Sequence, residues 1–435
     1  IHSRIKTVAL ALEKGSQQAL MICLDVVNFP EEFQKEVRAI VHQEIPALRP
    51  ESIFLNAIHT HSAPYTQATG LFRDWLPLDQ DALKPADYLV FLKTQILSAA
   101  KTAWESRAAG GIAPAFGNAR IGHCRRAVYA DGTAEMYGDT TRPDFVGMEA
   151  GEDSGVEMLF TFSADGKATG MILNVACPSQ VMESTYQISS DYMGATRENL
   201  KMEFGADFHT LCQISAAGCQ SPRDLTRAYR TEPDFWHADG VTELAKRLTS
   251  AVREAFPQTK GKIETDPVFQ HSCKRVSLPM RRASFQDYSK AKEKIEQLQA
   301  TMPEYEAFLD FCRETHENEA IPNQHGPYDS KLHHFVLIQN EKAVIKRYEM
   351  QDANANFEFD MQTLRIGDSA MVNCPFELYL VFGQIIKARS AAKQTFIVQL
   401  SGGSGSYLPS PEAERLGGYG GLIINGKVGS DGGYK

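Results

Sequence analysis

Two histidines separated by one residue are the most suggestive chemical group in this sequence. His59 and His61 directly follow the apolar segment of residues 52–58. Since residues i and i+2 of an extended chain point to the same side, both imidazoles would reach one metal ion, or one would bind it while the other transfers a proton. The spacing alone also allows two histidines that only form hydrogen bonds at a turn.

Three more apolar segments end in polar or glycine-rich turns, and such turns carry sites because the strands hold them rigidly. These turns contain Cys177, Ser221 and residues 401–407. A thiolate at Cys177 would suit zinc, whereas a buried thiol would only fill the core. Ser221 has no GxSxG motif around it, so the nucleophile elbow of α/β-hydrolases is not supported, and a helix cap or turn is its alternative role.

An acidic residue and two tyrosines near the C-terminal end are weaker candidates. Glu377 is predicted to begin a helix, where it would only complement the helix dipole. Tyr407 and Tyr419 flank a loop and carry no chemical signal by themselves. Asp25, at the end of an apolar strand, is a candidate to orient a metal-bound histidine.

The elements that position these residues follow the pattern of an α/β protein. Residues 6–13 and 18–27 alternate apolar and polar positions around a Lys-Gly-Ser turn, which predicts a β-hairpin. Asn28 is predicted to cap a helix over residues 30–45, and the next strand completes a βαβ-like unit. The other predicted elements are helices over 85–107, 192–204, 240–255 and 377–389, and strands over 170–176, 209–214, 333–347, 363–374 and 395–400.

Composition limits the classes of partner. The 435 residues include 45 basic and 54 acidic side chains, which gives a formal net charge of −9. Nucleic acid and a polybasic membrane contact are therefore disfavoured, and the lack of a run of 18 apolar residues predicts no transmembrane segment. We expect one large domain over residues 1–435, with a charged helical insertion at 284–330.

Six segments, in this order, resemble the catalytic domain of the neutral/alkaline non-lysosomal ceramidase family. They are HTHSAP, NVACPSQV, ISSDYMG, AAGCQSPRD, CPFE and SYLPSPEAERLGGYGG. The resemblance covers nearly the whole chain. It implies a fold of mixed β-sheets flanked by helices, in a single large catalytic domain, and a zinc-dependent amidase that cleaves the N-acyl bond of ceramide.

The resemblance also implies a set of site residues. Zn²⁺ would be held by His59, Cys177, Glu377 and Tyr407. His61 would move the proton as general base and then acid, and Ser221 would orient the carbonyl or the attacking water. The family's substrate-binding arginine would be Arg125, or its neighbour Arg126, and Tyr419 would contact the substrate.

The sequence departs from the family at three points. Cys177 stands where the family has a zinc-binding histidine, and Cys219 stands where it has an aspartate beside the serine. The family's C-terminal immunoglobulin-like domain has no counterpart here, and residues are expected to be missing in front of Ile1. Relatives tend to be exported, but no signal segment is visible, so the compartment stays open.

Two other functions remain open at this stage. The first is a zinc-dependent hydrolase or lyase that acts on a carbohydrate or another polar substrate, because no amphipathic segment with a basic face is present for lipid contact. The second is a non-catalytic, degenerate relative, which the changes at Cys177 and Cys219 suggest. The expected partner is a small molecule, a lipid or a glycan, and the oligomeric state is undetermined.

Overall fold

The first sheet of the fold is built on the predicted hairpin. A computed structural model describes residues 1–67, 83–226, 235–319 and 332–435. Strand β1 (Thr7–Lys14) pairs antiparallel with β2 (Gln17–Leu24), and β2 pairs parallel with β3 (Ile53–Ala57). Helix α1 (Glu31–Glu44) connects β2 to β3, so the βαβ-like unit is confirmed. Asn28 does not cap this helix, because the N-cap residue is Pro30 and no side chain bonds there.

The second sheet is mixed and carries the largest part of the core. Its strands are β4 (Gly110–Asn118), β9 (Gly155–Ser163), β10 (Ala168–Val175) and β11 (His209–Ile214), in the spatial order β11-β10-β9-β4. Only β10 and β11 are parallel to each other. Buried side chains of this sheet pack against α3 (Asp191–Phe204) and α4 (His237–Ala255), while α2 (Pro85–Glu105) packs beside the first sheet.

The third sheet is formed largely by the C-terminal part of the chain. It has the order β13-β14-β15-β17, from β13 (Phe269–Pro279), β14 (Asn356–Ile366), β15 (Ser369–Asn373) and β17 (Gln394–Val398). Two short strands, β16 (Phe376–Leu378) and β18 (Ser406–Leu408), form a separate parallel pair. The helix predicted to begin at Glu377 begins later, as α8 (Leu380–Arg389), so Glu377 lies on a strand.

Three helices lie where the sequence predicted one helical segment and a strand. They are α5 (Phe285–Thr301), α6 (Glu304–Glu319) and α7 (His334–Met350). The strand predicted over 333–347 is wrong, since α7 buries Phe335 and Ile338 on one helical face against α5 and α6. Part of the predicted insertion at 284–330 lies outside the described residues.

Five more short strands form two small sheets of their own. Strand β5 (His123–Cys124) pairs with β12 (Gln220–Ser221), while β6 (Arg126–Tyr129) pairs with β7 (Ala134–Met136) and β8 (Phe145–Met148). Helix α9 (Pro411–Leu416) follows β18. The predicted architecture of mixed sheets flanked by helices is confirmed. Within the described ranges, every helix is too short or too polar to cross a bilayer.

Candidate functional site

The two histidines meet through a turn at the end of β3. His59 adopts a left-handed backbone conformation, with φ of 60°, which is uncommon for a residue other than glycine and is typical of functional sites. Its Nε2 lies 3.1 Å from Nε2 of His61, and the two rings are nearly perpendicular, at 84°. The sequence predicted this proximity from an extended chain, but the turn produces it.

Hydrogen bonds determine which nitrogen of each ring carries the proton. His59 Nδ1 lies 2.7 Å from the carbonyl oxygen of Val27. Because a carbonyl only accepts, Nδ1 is the protonated nitrogen and Nε2 of neutral His59 has a free lone pair. For His61 the partner is a donor, since the side-chain amide nitrogen of Gln180 lies 3.0 Å from His61 Nε2. This ring nitrogen therefore accepts the hydrogen bond and carries no proton.

Strands β16 and β18 bring an acid and a phenol to the first of these rings. Glu377 and Tyr407 are paired residues in the parallel ladder, and Glu377 Oε2 lies 3.4 Å from His59 Nε2. Burial favours the neutral acid, but the charges of His59 and Arg125 and hydrogen bonds to His59 and Tyr407 outweigh it, so the pKa of Glu377 is lowered. Burial, followed by the charge of Glu377, raises the pKa of Tyr407 well above its usual value.

A buried arginine connects the two sides of the site. Arg125 donates from Nη2 to the Tyr407 hydroxyl at 3.1 Å and from Nη1 to Gln180 Oε1 at 3.0 Å. It also donates to the carbonyl of Gly218 and to the hydroxyl of Tyr137. A guanidinium group stays protonated, so this contact places a permanent positive charge beside Tyr407.

Tyr137 places Ser221 in the same network. Its hydroxyl lies 3.2 Å from Ser221 Oγ and 3.2 Å from Glu183 Oε1. Ser221 is fully buried on β12, and its Oγ also accepts from the backbone N–H of Arg223 at 3.2 Å. The predicted serine is therefore brought to the site, but behind a tyrosine that the sequence did not single out.

Glu183 lies behind His61, on the side away from His59. Its Oε2 is 3.2 Å from His61 Nδ1 and accepts a hydrogen bond from Gln180 Nε2 at 3.0 Å. Burial raises the pKa of Glu183 to about 7. Burial, together with the charges of His59 and Arg125, lowers the pKa of His61 well below its ordinary value.

Tyr419 lies at the exposed edge of this group. Its ring centroid is 5.7 Å from that of Tyr407, and the residue is 54% exposed. The backbone carbonyl of Tyr419 accepts a hydrogen bond from Arg126 at 2.6 Å. Arg126 therefore holds the Tyr419 segment, whereas Arg125 is the arginine inside the site.

Cys177 is not brought together with the other predicted ligands. Its thiol donates to the carbonyl of Ile121 at 3.1 Å and belongs to the main apolar core. Burial is the main cause that raises the pKa of this thiol. Over the described ranges, Cys177, His59 and Glu377 do not form a group whose ligand atoms lie within 4.8 Å of one another. This placement departs from the predicted four-ligand set.

Asp25 does not orient a metal-bound histidine either. Its carboxylate forms a buried ion pair with Arg197 of α3 and accepts from the backbone N–H of Lys6. The orienting group of His59 is instead the backbone carbonyl of Val27. A backbone contact of this kind leaves no signal in the sequence.

The donor set around His59 suits a cation. In a neutral His59, Nε2 presents a lone pair 3.4 Å from Oε2 of the ionised Glu377. Nε2 of His61 lies 3.1 Å from the same nitrogen, on a side that is not within 4.8 Å of Glu377. Such acceptors repel one another unless a proton or a metal ion lies among them. Catalytic zinc sites take three protein ligands at about 2.0–2.2 Å, and His59, Glu377 and Tyr407 would provide them.

A second group of ligand-type residues does not fit a metal. Asp310, Glu314 and His333 have ligand atoms within 4.8 Å of one another. However, His333 Nδ1 accepts the backbone N–H of Phe335 as a helix cap, at 3.1 Å. Its Nε2 therefore carries a proton and faces the two carboxylates as a donor, at 3.5 Å and 3.7 Å. The group is therefore a hydrogen-bonded cap of α7.

Sequence reasoning missed three residues that hold the site together. Gln180 and Glu183 lie three and six residues after Cys177, within the turn that attracted attention only for its thiol. Tyr137 lies in a turn-rich stretch and has a left-handed backbone, with φ of 57°. The sequence offered one sign of their role, namely that Gln180 and Glu183 are polar residues that closely follow a predicted strand.

Comparison with known proteins identifies the fold. No family model and no curated protein match the chain. A structure described as a ceramidase complexed with C2 has a TM-score of 0.69 at 14% identity, and covers 98% of this chain and 67% of its own. The neutral ceramidase from Pseudomonas aeruginosa has a TM-score of 0.63 at 15% identity, and covers 95% of this chain and 64% of its own. The chain thus has the fold of these ceramidases and spans about two thirds of their length.

Proposed function

We propose that this protein is a metal-dependent hydrolase that cleaves an N-acyl (amide) bond at the site around His59. The carrying observation is the approach of His59 Nε2 to Glu377 Oε2, at 3.4 Å, beside the Tyr407 hydroxyl and the buried charge of Arg125. The ceramidase-like fold supports the proposal independently.

Zinc is the proposed metal, and His59, Glu377 and Tyr407 are its proposed ligands. A zinc ion there would supply a Lewis acid for a carbonyl group and would activate water at neutral pH. The remaining roles belong to side chains of the chain. Arg125 holds Tyr407 by a hydrogen bond and would favour negative charge that develops on the carbonyl oxygen.

His61 is the proposed proton-transfer group. Its low pKa keeps the ring neutral at pH 7, so that Nε2 can accept a proton from the attacking water and return it to the leaving nitrogen. Ser221, behind Tyr137, would help to orient the substrate carbonyl through that phenol, and Tyr419 at the exposed edge would contact the rest of the substrate.

The proposed substrate class is an N-acylated lipid. The test is a panel of N-acyl lipids and N-acylated sugars, assayed with the purified chain before and after chelation. Chelator-sensitive release of a fatty acid supports the proposal. Turnover of the sugars alone would indicate the polar-substrate alternative, and stoichiometric metal without turnover of either class would indicate a degenerate relative.

A further inference from the structure

The segment that carries Tyr419 has little secondary structure of its own. This Tyr419 loop covers residues 417–427, after α9, and four of its first five residues are glycines. Gly417, Gly418 and Gly420 have positive φ angles, of 70°, 75° and 88°. Because glycine loses more backbone freedom on folding than any other residue, such a loop needs contacts from other elements to keep Tyr419 beside the site.

Two arginines next to the helices α5 and α7 provide such contacts. Arg281 lies between β13 and α5, and its Nη1 donates to the carbonyl of Gly421 at 2.7 Å. Arg347 lies on α7, and its Nη1 donates to the carbonyl of Gly426 at 3.0 Å and to that of Arg281 at 3.2 Å. Helix α7 also packs against the single 3-10 turn of the loop, Ile423–Asn425. These contacts hold the middle and the end of the loop.

The charges of the two arginines are compensated differently. Arg281 Nε lies 3.4 Å from Glu414 Oε1. Among the described residues, no carboxylate lies within 4.0 Å of the Arg347 guanidinium, and burial, followed by the charge of Arg281, lowers the pKa of Arg347. A partly buried cation without an acidic partner costs stability. The two carbonyls are therefore the groups that compensate Arg347, and one of them belongs to the Tyr419 loop.

We propose that Arg281 and Arg347 are positioning residues, through which the helical arm of α5, α6 and α7 holds the Tyr419 loop against the site. The Tyr419 ring is 5.7 Å from that of Tyr407, so a displaced loop would move a substrate contact and leave the proposed ligands in place. The consequence for substrate binding rests on the proposed function. The attachment of the loop to the arm does not.

Hydrogen–deuterium exchange of the full chain, read by mass spectrometry, tests this attachment without any substrate. The reporters are the backbone N–H groups of Gly421, Leu422 and Asn425, which form hydrogen bonds within the loop. We expect them to exchange roughly 10-fold faster in Arg347→Gln and in Arg281→Gln, because each variant removes a charged donor from a loop carbonyl. Exchange at the wild-type rate in both variants would overturn the proposal.

Two further variants accompany this experiment. Arg282→Gln is the matched control, since Arg282 is the neighbour of Arg281 but pairs with Asp352 instead of the loop. It should exchange like the wild type, and equally fast exchange in Arg282→Gln would overturn the assignment to the two arginines. Arg347→Lys keeps the charge and one donor group, so its exchange rate should lie between those of Arg347→Gln and the wild type.

A double-mutant cycle shows whether the arm acts through Tyr419 where a substrate has been found. We expect Arg347→Gln to raise KM roughly 3- to 10-fold with little change in kcat, and to have no further effect in a Tyr419→Ala background. The same rise in both backgrounds, or a loss of zinc from Arg347→Gln, would overturn the proposal. If no substrate is turned over, the proposed function fails, while the exchange rates still decide whether the arm holds the loop.

Discussion

His59 satisfies two constraints at once, since its backbone turns the chain and its ring meets both His61 and Glu377. The left-handed φ of 60° directs Nε2 into the site while Nδ1 stays bonded to Val27. A mutation at this position would therefore remove a proposed ligand and would also release a strained backbone. Each ligand is best tested by a change that keeps the backbone and the volume.

Zinc content separates the ligands from the buried thiol. We expect Glu377→Gln and His59→Asn to lower the zinc content of the purified protein strongly, because each removes one of three proposed donors. Cys177→Ser should keep it, since this thiol bonds to Ile121. Elemental analysis of the folded variants is the measurement, and loss of zinc from Cys177→Ser would restore the four-ligand prediction.

The Tyr137 hydroxyl links Ser221 to Glu183, at 3.2 Å from each. Removing it in Tyr137→Phe leaves both side chains without that partner while the ring keeps its volume. We expect a fall in kcat of roughly 100-fold, since loss of one positioned donor commonly costs about 100- to 1000-fold. Tyr129→Phe is the matched control, because its hydroxyl bonds to the Asp139 carbonyl outside the site. Equal rates for Tyr137→Phe and the wild type would contradict this role.

At the scale of elements, two short strands determine where the proposed ligands lie. β16 and β18 are only three residues each, and their parallel register places Glu377 beside Tyr407. The turn before β12 supports them, since Gly218 donates its N–H to Leu378 at 2.8 Å. The Gly218 carbonyl also accepts a hydrogen bond from Arg125. This one turn therefore contacts both β16, which carries Glu377, and the buried guanidinium group of Arg125.

A side chain at Gly218 should disturb that arrangement. A Cβ atom there would lie 2.4 Å from the carbonyl oxygen of Glu377, which is closer than real contacts allow. We expect Gly218→Ala to lower zinc affinity and thermal stability together, because the strand must move. Gly147→Ala is the control, since its added Cβ meets nothing within 4 Å. Wild-type affinity and Tm in Gly218→Ala would show that β16 does not hold the ligand in place.

At the scale of the whole molecule, the site joins all three large parts of the fold. His59 comes from the first sheet, Gln180 and Glu183 follow the second, and Glu377 precedes α8 beside the third. The charges collected there are buried, so the stability of the molecule depends on their ionisation.

Glu183 should make the protein less stable as the pH rises toward neutrality. Its pKa is about 7 when folded, from a usual value of 4.5, so the unfolded chain releases the proton first and stability falls between pH 4.5 and 7. The groups that act on it are Arg125, Tyr137, His61, His59 and Asp191. The full loss is at most roughly 3 kcal/mol.

Glu183→Gln removes this titration. We expect the free energy of unfolding of the wild type, relative to this variant, to decrease from pH 4.5 to 7 and to level off above. Urea unfolding at several pH values measures it, with Glu157→Gln as the control. A relative stability that stays constant or rises over this range would contradict the raised pKa.

The sequence by itself determined the mixed α/β architecture, because apolar periodicity and turn residues mark the hairpin, the βαβ unit and most helices. It also selected His59, His61, Glu377, Tyr407 and Arg125, which the structure brings together. Where local pattern was ambiguous, as in the apolar run that forms α7, packing against α5 and α6 decided for a helix. Local sequence does not encode which distant helix or strand a residue at the end of a strand will contact.

Only the tertiary structure decided which of these side chains share the site. It turned Cys177 into the core, where its thiol finds a carbonyl partner, and paired Asp25 with Arg197 rather than with a histidine. It also supplied Gln180, Glu183 and Tyr137, whose roles depend on hydrogen bonds between distant segments. Such bonds form only after the sheets assemble, because each requires two buried polar groups to satisfy one another.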